Sequence, residues 1–444
     1  MKTPICDFVK QYKDSGAVRL HMPGHKGIEL IGGESLDITE ISGADSLYDA
    51  SGIIRESEQN ASRLFGCDTF YSTEGSSHVI RAMTYLISLH AKSEDKKAKI
   101  LAARNCHKTF ISSAALIDLD VEWIENDSGS YLSAPISAEK LDKHISAADP
   151  KPTAVYLTSP DYLGHIANIE EISSVCHKHG VLLCVDNAHG AYLRFLEVSK
   201  HPIDLGADIC CDSAHKTLPV LTGGAYMHVS ESAPDSFSEN AKDALSLFGS
   251  TSPSYLVLQS LDRANAYLED GYREKLSALA GKISSLKEHL GKAGYSFYGN
   301  EPTKLAIEAK KYGYTGESLA KILVEKGIVC EFCDPDYLVL MFTPEIEDRE
   351  LARLEDVLLS VAKLPEIAEQ PPQYATFERR MSIREATMSP CESLPVEECK
   401  GRVLARLGVS CPPAVPIAVS GEVISREMIA CFKYYGIDRI SVVK

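Results

Sequence analysis

The chain has 444 residues, enough for two or three domains around a large buried core. Apolar residues make up 44% and charged residues 24%, the balance of a soluble globular protein, while 62 acidic against 46 basic residues leave a net charge of −16. Such a surface repels phosphate backbones and anionic lipid, so neither nucleic acid nor a membrane is expected as a partner.

The first residues, Met1 to Asp7, hold no apolar core with a small-residue cleavage site, and no run of about 18 apolar residues occurs. The 13 cysteines follow no framework spacing; Cys184, Cys210 and Cys211 sit in apolar runs, where a thiol packs as a small hydrophobe. A reducing, cytoplasmic setting is expected.

From about residue 65 to 230, apolar runs at 99–103, 154–158, 181–185, 208–211 and 224–229 alternate with amphipathic stretches. Val79, Ile80, Met83, Leu86 and Ile87 recur at helical spacing, as do Ile169, Ile172, Val175 and Cys176 before Gly180. This alternation predicts βαβ units and a mostly parallel sheet, an α/β domain. Residues 266–293 are predicted as one long helix leading into a small α+β domain with strand-like runs at 304–309, 328–332 and 337–343. Paired prolines in Gln370-Pro371-Pro372-Gln373 read as a linker, and residues 374–444 as an appended C-terminal unit. The expected domains are therefore 1–265, 266–369 and 370–444.

Ligands of open parallel sheets sit beyond the carboxyl ends of the strands. Gly75-Ser76-Ser77, before a predicted helix at 77–90, reads alone as an N-cap first and a phosphate cradle second. Asp186 ends an apolar strand and needs a cationic or hydrogen-bonding partner, either a cofactor's protonated ring nitrogen or a structural base; His189 is close by. Lys216, in His215-Lys216-Thr217, is a candidate Schiff-base amine, with a snorkelling surface lysine as the plainer reading. Lys108, in His107-Lys108-Thr109, competes for the same role. Lys216 is preferred because it follows the Asp186 strand by one βαβ step and precedes Gly223-Gly224. The lone Cys330-x-x-Cys333 reads as packed thiols before a zinc site, and no metal is expected. The chain lacks a P-loop, a GxSxG elbow and a GxGxxG fingerprint.

Taken in order, these blocks resemble the fold type I pyridoxal-phosphate enzymes, specifically the bacterial ornithine/lysine/arginine decarboxylase family. The blocks are His21-Met22-Pro23-Gly24-His25-Lys26-Gly27, Asp37-Ile38-Thr39-Glu40, Asp45-Ser46-Leu47, Asn105-Cys106-His107-Lys108, Asp186-Asn187-Ala188-His189-Gly190-Ala191, Ser213-Ala214-His215-Lys216-Thr217-Leu218-Pro219 and Ser250-Thr251-Ser252-Pro253-Ser254-Tyr255. The likeness is to the short form, without an N-terminal wing domain.

The resemblance implies pyridoxal 5'-phosphate anchored covalently on Lys216, with Asp186 on the pyridinium nitrogen and His107 stacked on the ring. It implies Gly75, Ser76, Ser77, Ser213 and His215 around the phosphate, Ala188 against the ring and His189 near its hydroxyl. Thr251 and Ser252 would reach the phosphate of a neighbouring subunit, in a homodimer with shared sites or a higher oligomer. The implied reaction is decarboxylation of arginine, lysine or ornithine to a polyamine-type amine, with Lys216 or His215 returning a proton to Cα. The competing readings are an aminotransferase, aldolase or carbon–sulfur lyase on the same scaffold, and a catalytically silent cofactor-binding paralogue. Ala214, Asn187 and Asp161 depart from the family pattern, and Cys411 to Pro416 is a worn version of its proline-rich stretch.

Overall fold

The computed structural model describes residues 1–124, 130–373, 377–406 and 413–444. Tyr374, expected to open the appended unit, and Cys411 and Pro412 of the proline-rich stretch lie outside the described residues. The strands are β1 (Asp68–Ser72), β2 (Lys99–Ala103), β3 (Asp120–Ile124), β4 (Ala154–Thr158), β5 (Leu182–Asp186), β6 (Ile209–Asp212), β7 (Ala225–Val229), β8 (Phe297–Tyr298), β9 (Lys304–Glu308), β10 (Phe332–Cys333), β11 (Tyr337–Met341), β12 (Cys391–Pro395), β13 (Leu404–Arg406) and β14 (Arg439–Val443). They form a seven-stranded sheet in the order β1-β7-β6-β5-β4-β2-β3, a four-stranded sheet β10-β11-β9-β8 and a three-stranded sheet β12-β14-β13.

The chain divides into two compact units. The first comprises Met1–Ala98, Ile145–Tyr156 and Ile169–Lys275. Within it β5 and β6 run parallel, while β7 is antiparallel to both β6 and β1. Every residue of β6 and β7 is buried, as expected of strands covered on both faces. The helix Gly75–Ser93 packs on β6 and β7 and buries Val79, Ile80, Met83, Leu86 and Ile87, the face its spacing predicts.

The second unit comprises Lys99–His144, Leu157–Asn168 and Leu276–Lys444. Here β2 and β3 pair in parallel. The antiparallel β8–β11 sheet is covered by helices whose Leu279, Ile283, Leu286, Leu290, Leu319, Leu323, Leu354 and Leu358 join Leu305, Ile307, Leu338 and Leu340 in one core. A separate core joins Leu404, Ile440 and Val442 of the three-stranded sheet to Met428, Cys431 and Phe432 of the helix Arg426–Tyr434. No helix among the described residues is long and apolar enough to cross a membrane.

Three local readings need correction. The helix expected over 266–293 is two helices, Tyr255–Glu269 and Tyr272–Lys292, parted at Asp270-Gly271, where Gly271 has φ +69°. The strand expected at 328–332 contracts to β10. Strands β1 and β3 lie outside the apolar runs read from the sequence, because each mixes polar with apolar residues.

Candidate active site

The first unit gathers polar side chains at the carboxyl ends of β5 and β6 and at the start of the helix Gly75–Ser93. Gly75 has φ +75°, and its N–H donates to the Gly223 carbonyl at 2.7 Å. Gly223 has φ +101°, and a Cβ there would lie 2.6 Å from the Thr73 carbonyl oxygen, so the backbone crossing requires glycine. Glu74, the N-cap residue, makes no side-chain capping bond. The cap reading of Gly75-Ser76-Ser77 is thereby corrected: the helix begins at Gly75, and the Ser76 hydroxyl instead accepts from the Ser213 hydroxyl at 2.7 Å. A helix N-terminus beside two hydroxyls is a ready site for a phosphate.

Asp186 ends β5 and is 2% exposed. Its Oδ1 accepts the Ala188 N–H at 3.2 Å and the Cys211 thiol at 3.5 Å, and its Oδ2 accepts the Tyr156 hydroxyl at 3.2 Å. Burial, followed by the nearby Asp186 carboxylate, pushes the Cys211 thiol well above its ordinary pKa, so it stays an S–H donor. All three donors are neutral, and no lysine, arginine or histidine of the described residues pairs with this carboxylate. A buried carboxylate without a cation is unfavourable, and a protonated ring nitrogen would supply the missing charge. Pyridoxal phosphate fits these residues.

Lys216 lies on the short helix Ala214–Thr217 after β6, and its Nζ is 3.2 Å from Nε2 of His189, which follows β5. His215 donates from Nδ1 to the Gly224 carbonyl at 3.0 Å, which leaves Nε2 as its acceptor nitrogen. Burial and the Lys216 charge lower the His215 pKa against the pull of that carbonyl, so the ring is neutral near pH 7. Gly75 lies against the same ring, its Cβ position 3.8 Å from His215 Cε1. Thr251 and Ser252 are exposed in the loop that follows the helix Ala241–Phe248, and the adjacent Ser250 N–H donates to Glu74 at 2.6 Å.

His107 belongs to the second unit. It caps the helix Lys108–Ile117, its Nδ1 accepting the Thr109 N–H at 3.2 Å, and the Lys108 N–H donates to the Ala414 carbonyl at 2.8 Å. Asp161, in the same unit, is buried and accepts from Ser133 and from the N–H groups of Leu163 and His165, so this departure organises a turn. Cys330 and Cys333 are half-buried free thiols whose pKa values burial raises.

Sequence reasoning missed Tyr156 and Cys211 as partners of Asp186. Both lie inside apolar strand runs, where a hydroxyl or thiol gives no separate signal. It also treated Asn187 only as a departure, whereas its side chain donates to Asp212 at 2.6 Å.

Residues 3–292 match the family described as Orn/Lys/Arg decarboxylase, major domain. The arginine decarboxylase of Bacillus subtilis (strain 168) is 30% identical over 470 residues, covering 97% of this chain and 92% of the relative. Among solved structures, lysine decarboxylase A from Pseudomonas aeruginosa matches with a TM-score of 0.83 at 18% identity, over 99% of this chain and 80% of that one. The serine palmitoyltransferase of Sphingomonas wittichii matches at 0.58 and 16% identity, over 81% and 83%. Both structural likenesses are likenesses of fold, and the fold is that of the fold type I pyridoxal-phosphate enzymes.

Proposed function

Because the chain belongs to the Orn/Lys/Arg decarboxylase family, which are pyridoxal-phosphate-dependent carboxy-lyases, we propose that it releases carbon dioxide from a basic amino acid, arginine before lysine or ornithine, and leaves the corresponding polyamine-type amine. Arginine comes first because the relative named above, similar along nearly its whole length, is called an arginine decarboxylase. The carrying observation is Asp186, buried among neutral donors alone.

The chemistry supplied by bound pyridoxal phosphate is an electron sink for a bond broken at Cα. Lys216 would be the covalent anchor, and Asp186 would keep the ring nitrogen protonated. Ser76, Ser77, Ser213 and His215 would hold the phosphate, with Gly75 leaving room for it. By the family resemblance, Ala188 would sit against the ring, His189 would serve its hydroxyl, and His107 would be the stacking residue. Lys216 or His215 would return a proton to Cα. Thr251 and Ser252 complete the site of a second subunit, so the working form is a cytoplasmic homodimer.

The test is incubation of the purified protein and pyridoxal phosphate with arginine, lysine and ornithine, following carbon dioxide and amine. Gas and amine from one of the three are expected. Amino-group transfer to a keto acid without gas would overturn the reading.

A further inference from the structure

Asp212, at the end of β6, is a wholly buried carboxylate that the reaction does not use directly. It, His201, His228 and Asn187 are all 0% exposed. Its Oδ2 accepts N–H bonds from Nε2 of His201 and Nε2 of His228, both at 3.1 Å, and its Oδ1 accepts from the Asn187 amide at 2.6 Å. His228 sits in β7, and its Nδ1 lies 2.9 Å from the Thr69 hydroxyl in β1. Burial works against the anion, but the two imidazoles outweigh it and hold this carboxyl below the ordinary carboxylate range.

Asn187 directly follows Asp186, and Asp212 directly precedes Ser213. The Asn187 N–H also donates to the Cys211 carbonyl at 3.0 Å, and the Gly190 N–H returns to the Asn187 carbonyl at 2.7 Å. A Cβ on Gly190 would lie 2.0 Å from the Asn187 amide oxygen, so only glycine leaves that amide its place. An amide–carboxylate bond in a dry interior is directional and strong, and a donor lost there leaves a buried acceptor oxygen unpaired.

We propose that Asn187 and Asp212 are a positioning pair: their hydrogen bond locks the turn bearing Asp186, Ala188 and His189 to the turn bearing Ser213, His215 and Lys216. It thereby sets the spacing between the carboxylate meant for the ring nitrogen and the anchoring amine. Neither residue touches the reacting atoms. The inference rests on the roles given above to Asp186 and Lys216.

The experiment titrates pyridoxal phosphate into the apo forms of wild type, N187A, D212N, the double variant and K216A, reading the visible absorbance band and the unfolding midpoint. N187A and D212N are each expected to weaken cofactor binding by about tenfold or more, with the double variant no worse than D212N, because both remove one shared interaction. If D212N fails to fold, G190A, whose Cβ meets the Asn187 amide at 2.0 Å and the end of the Leu193 side chain at 2.8 Å, takes its place and is expected to weaken binding like N187A. Cofactor affinity within twofold of wild type in N187A would overturn the proposal. So would losses that multiply in the double variant, or one metal ion per chain that D212N sheds. K216A separates the two ideas. If it keeps the covalent band, the roles assigned under the proposed function fail. If it loses the band while N187A and D212N titrate like wild type, the positioning pair alone fails.

Discussion

The Lys216 amine and the His189 imidazole, carried by turns after two adjacent parallel strands, lie 3.2 Å apart, Nζ to Nε2. A lysine so held, half-buried, presents its nitrogen to His189 in the strand-end cluster. Lys216→Ala is expected to abolish covalent attachment of the cofactor and to cut decarboxylation on the order of 10³-fold or more. Lys108→Ala should leave the visible band in place. Absorbance spectra and carbon dioxide release measure both, and loss of the band in Lys108→Ala alone would reverse the assignment.

Asp186→Asn keeps the shape of the side chain and removes its charge. The ring nitrogen then loses the group that keeps it protonated, so turnover should fall by about 10²-fold or more. The unfolding midpoint should hold or rise, since an uncompensated buried anion disappears. A variant as active as wild type would show that the carboxylate does not serve the ring.

Arg104 and Glu422 form a buried, two-pronged ion pair in the second unit, the Nη2–Oε2 contact at 3.2 Å, and the guanidinium stacks 3.6 Å from the centre of the Phe377 ring. Arg104→Ala leaves Glu422 buried without its cation and should destabilise by about 3–5 kcal/mol. Arg104→Met combined with Glu422→Leu should recover much of that loss. Urea unfolding of the three proteins tests the order; a single variant as stable as wild type contradicts it.

Asp334 uses one carboxyl oxygen to accept the N–H groups of Asp336 at 2.8 Å and Tyr337 at 2.7 Å, and its other oxygen is buried without a hydrogen-bond partner among the described residues. Burial raises its pKa to about 7, against the pull of those two N–H bonds. The unfolded carboxyl titrates near about 4, so the folded chain holds this proton more tightly. The stability contributed by neutral Asp334 is therefore complete below about pH 4 and lost as pH climbs to about 7. Asp334→Asn, neutral throughout, should lose less stability than wild type between pH 5 and 8 in urea midpoints. Parallel profiles for the two proteins would refute the assignment.

The strands β2 and β4 coincide with apolar runs because a strand covered on both faces is apolar at nearly every position. β5 and β6 extend one residue past their apolar runs onto Asp186 and Asp212, since a carboxylate ends a hydropathy run without ending backbone pairing. β1, reading Asp68-Thr69-Phe70-Tyr71-Ser72, is polar in composition yet four of its five residues are buried, which no alternation announces. The break at Asp270-Gly271 is equally silent, because Leu268 and Tyr272 carry the helical spacing across it. The Gly75-Ser76-Ser77 segment reads locally as a cap; its actual partner, Ser213, is 137 residues away.

By itself the sequence determined the order of helices and strands and the residue types delivered to each strand end, because side-chain period and turn chemistry are properties of neighbours in the chain. Only the tertiary structure decided which donors face those residues: Tyr156 and Cys211 for Asp186, His201, His228 and Asn187 for Asp212. Those partners are separated by 11 to 30 residues and meet only when strands pair and loops pack over them. No local pattern of hydropathy encodes such a meeting, since it depends on the register between strands rather than on the period within one.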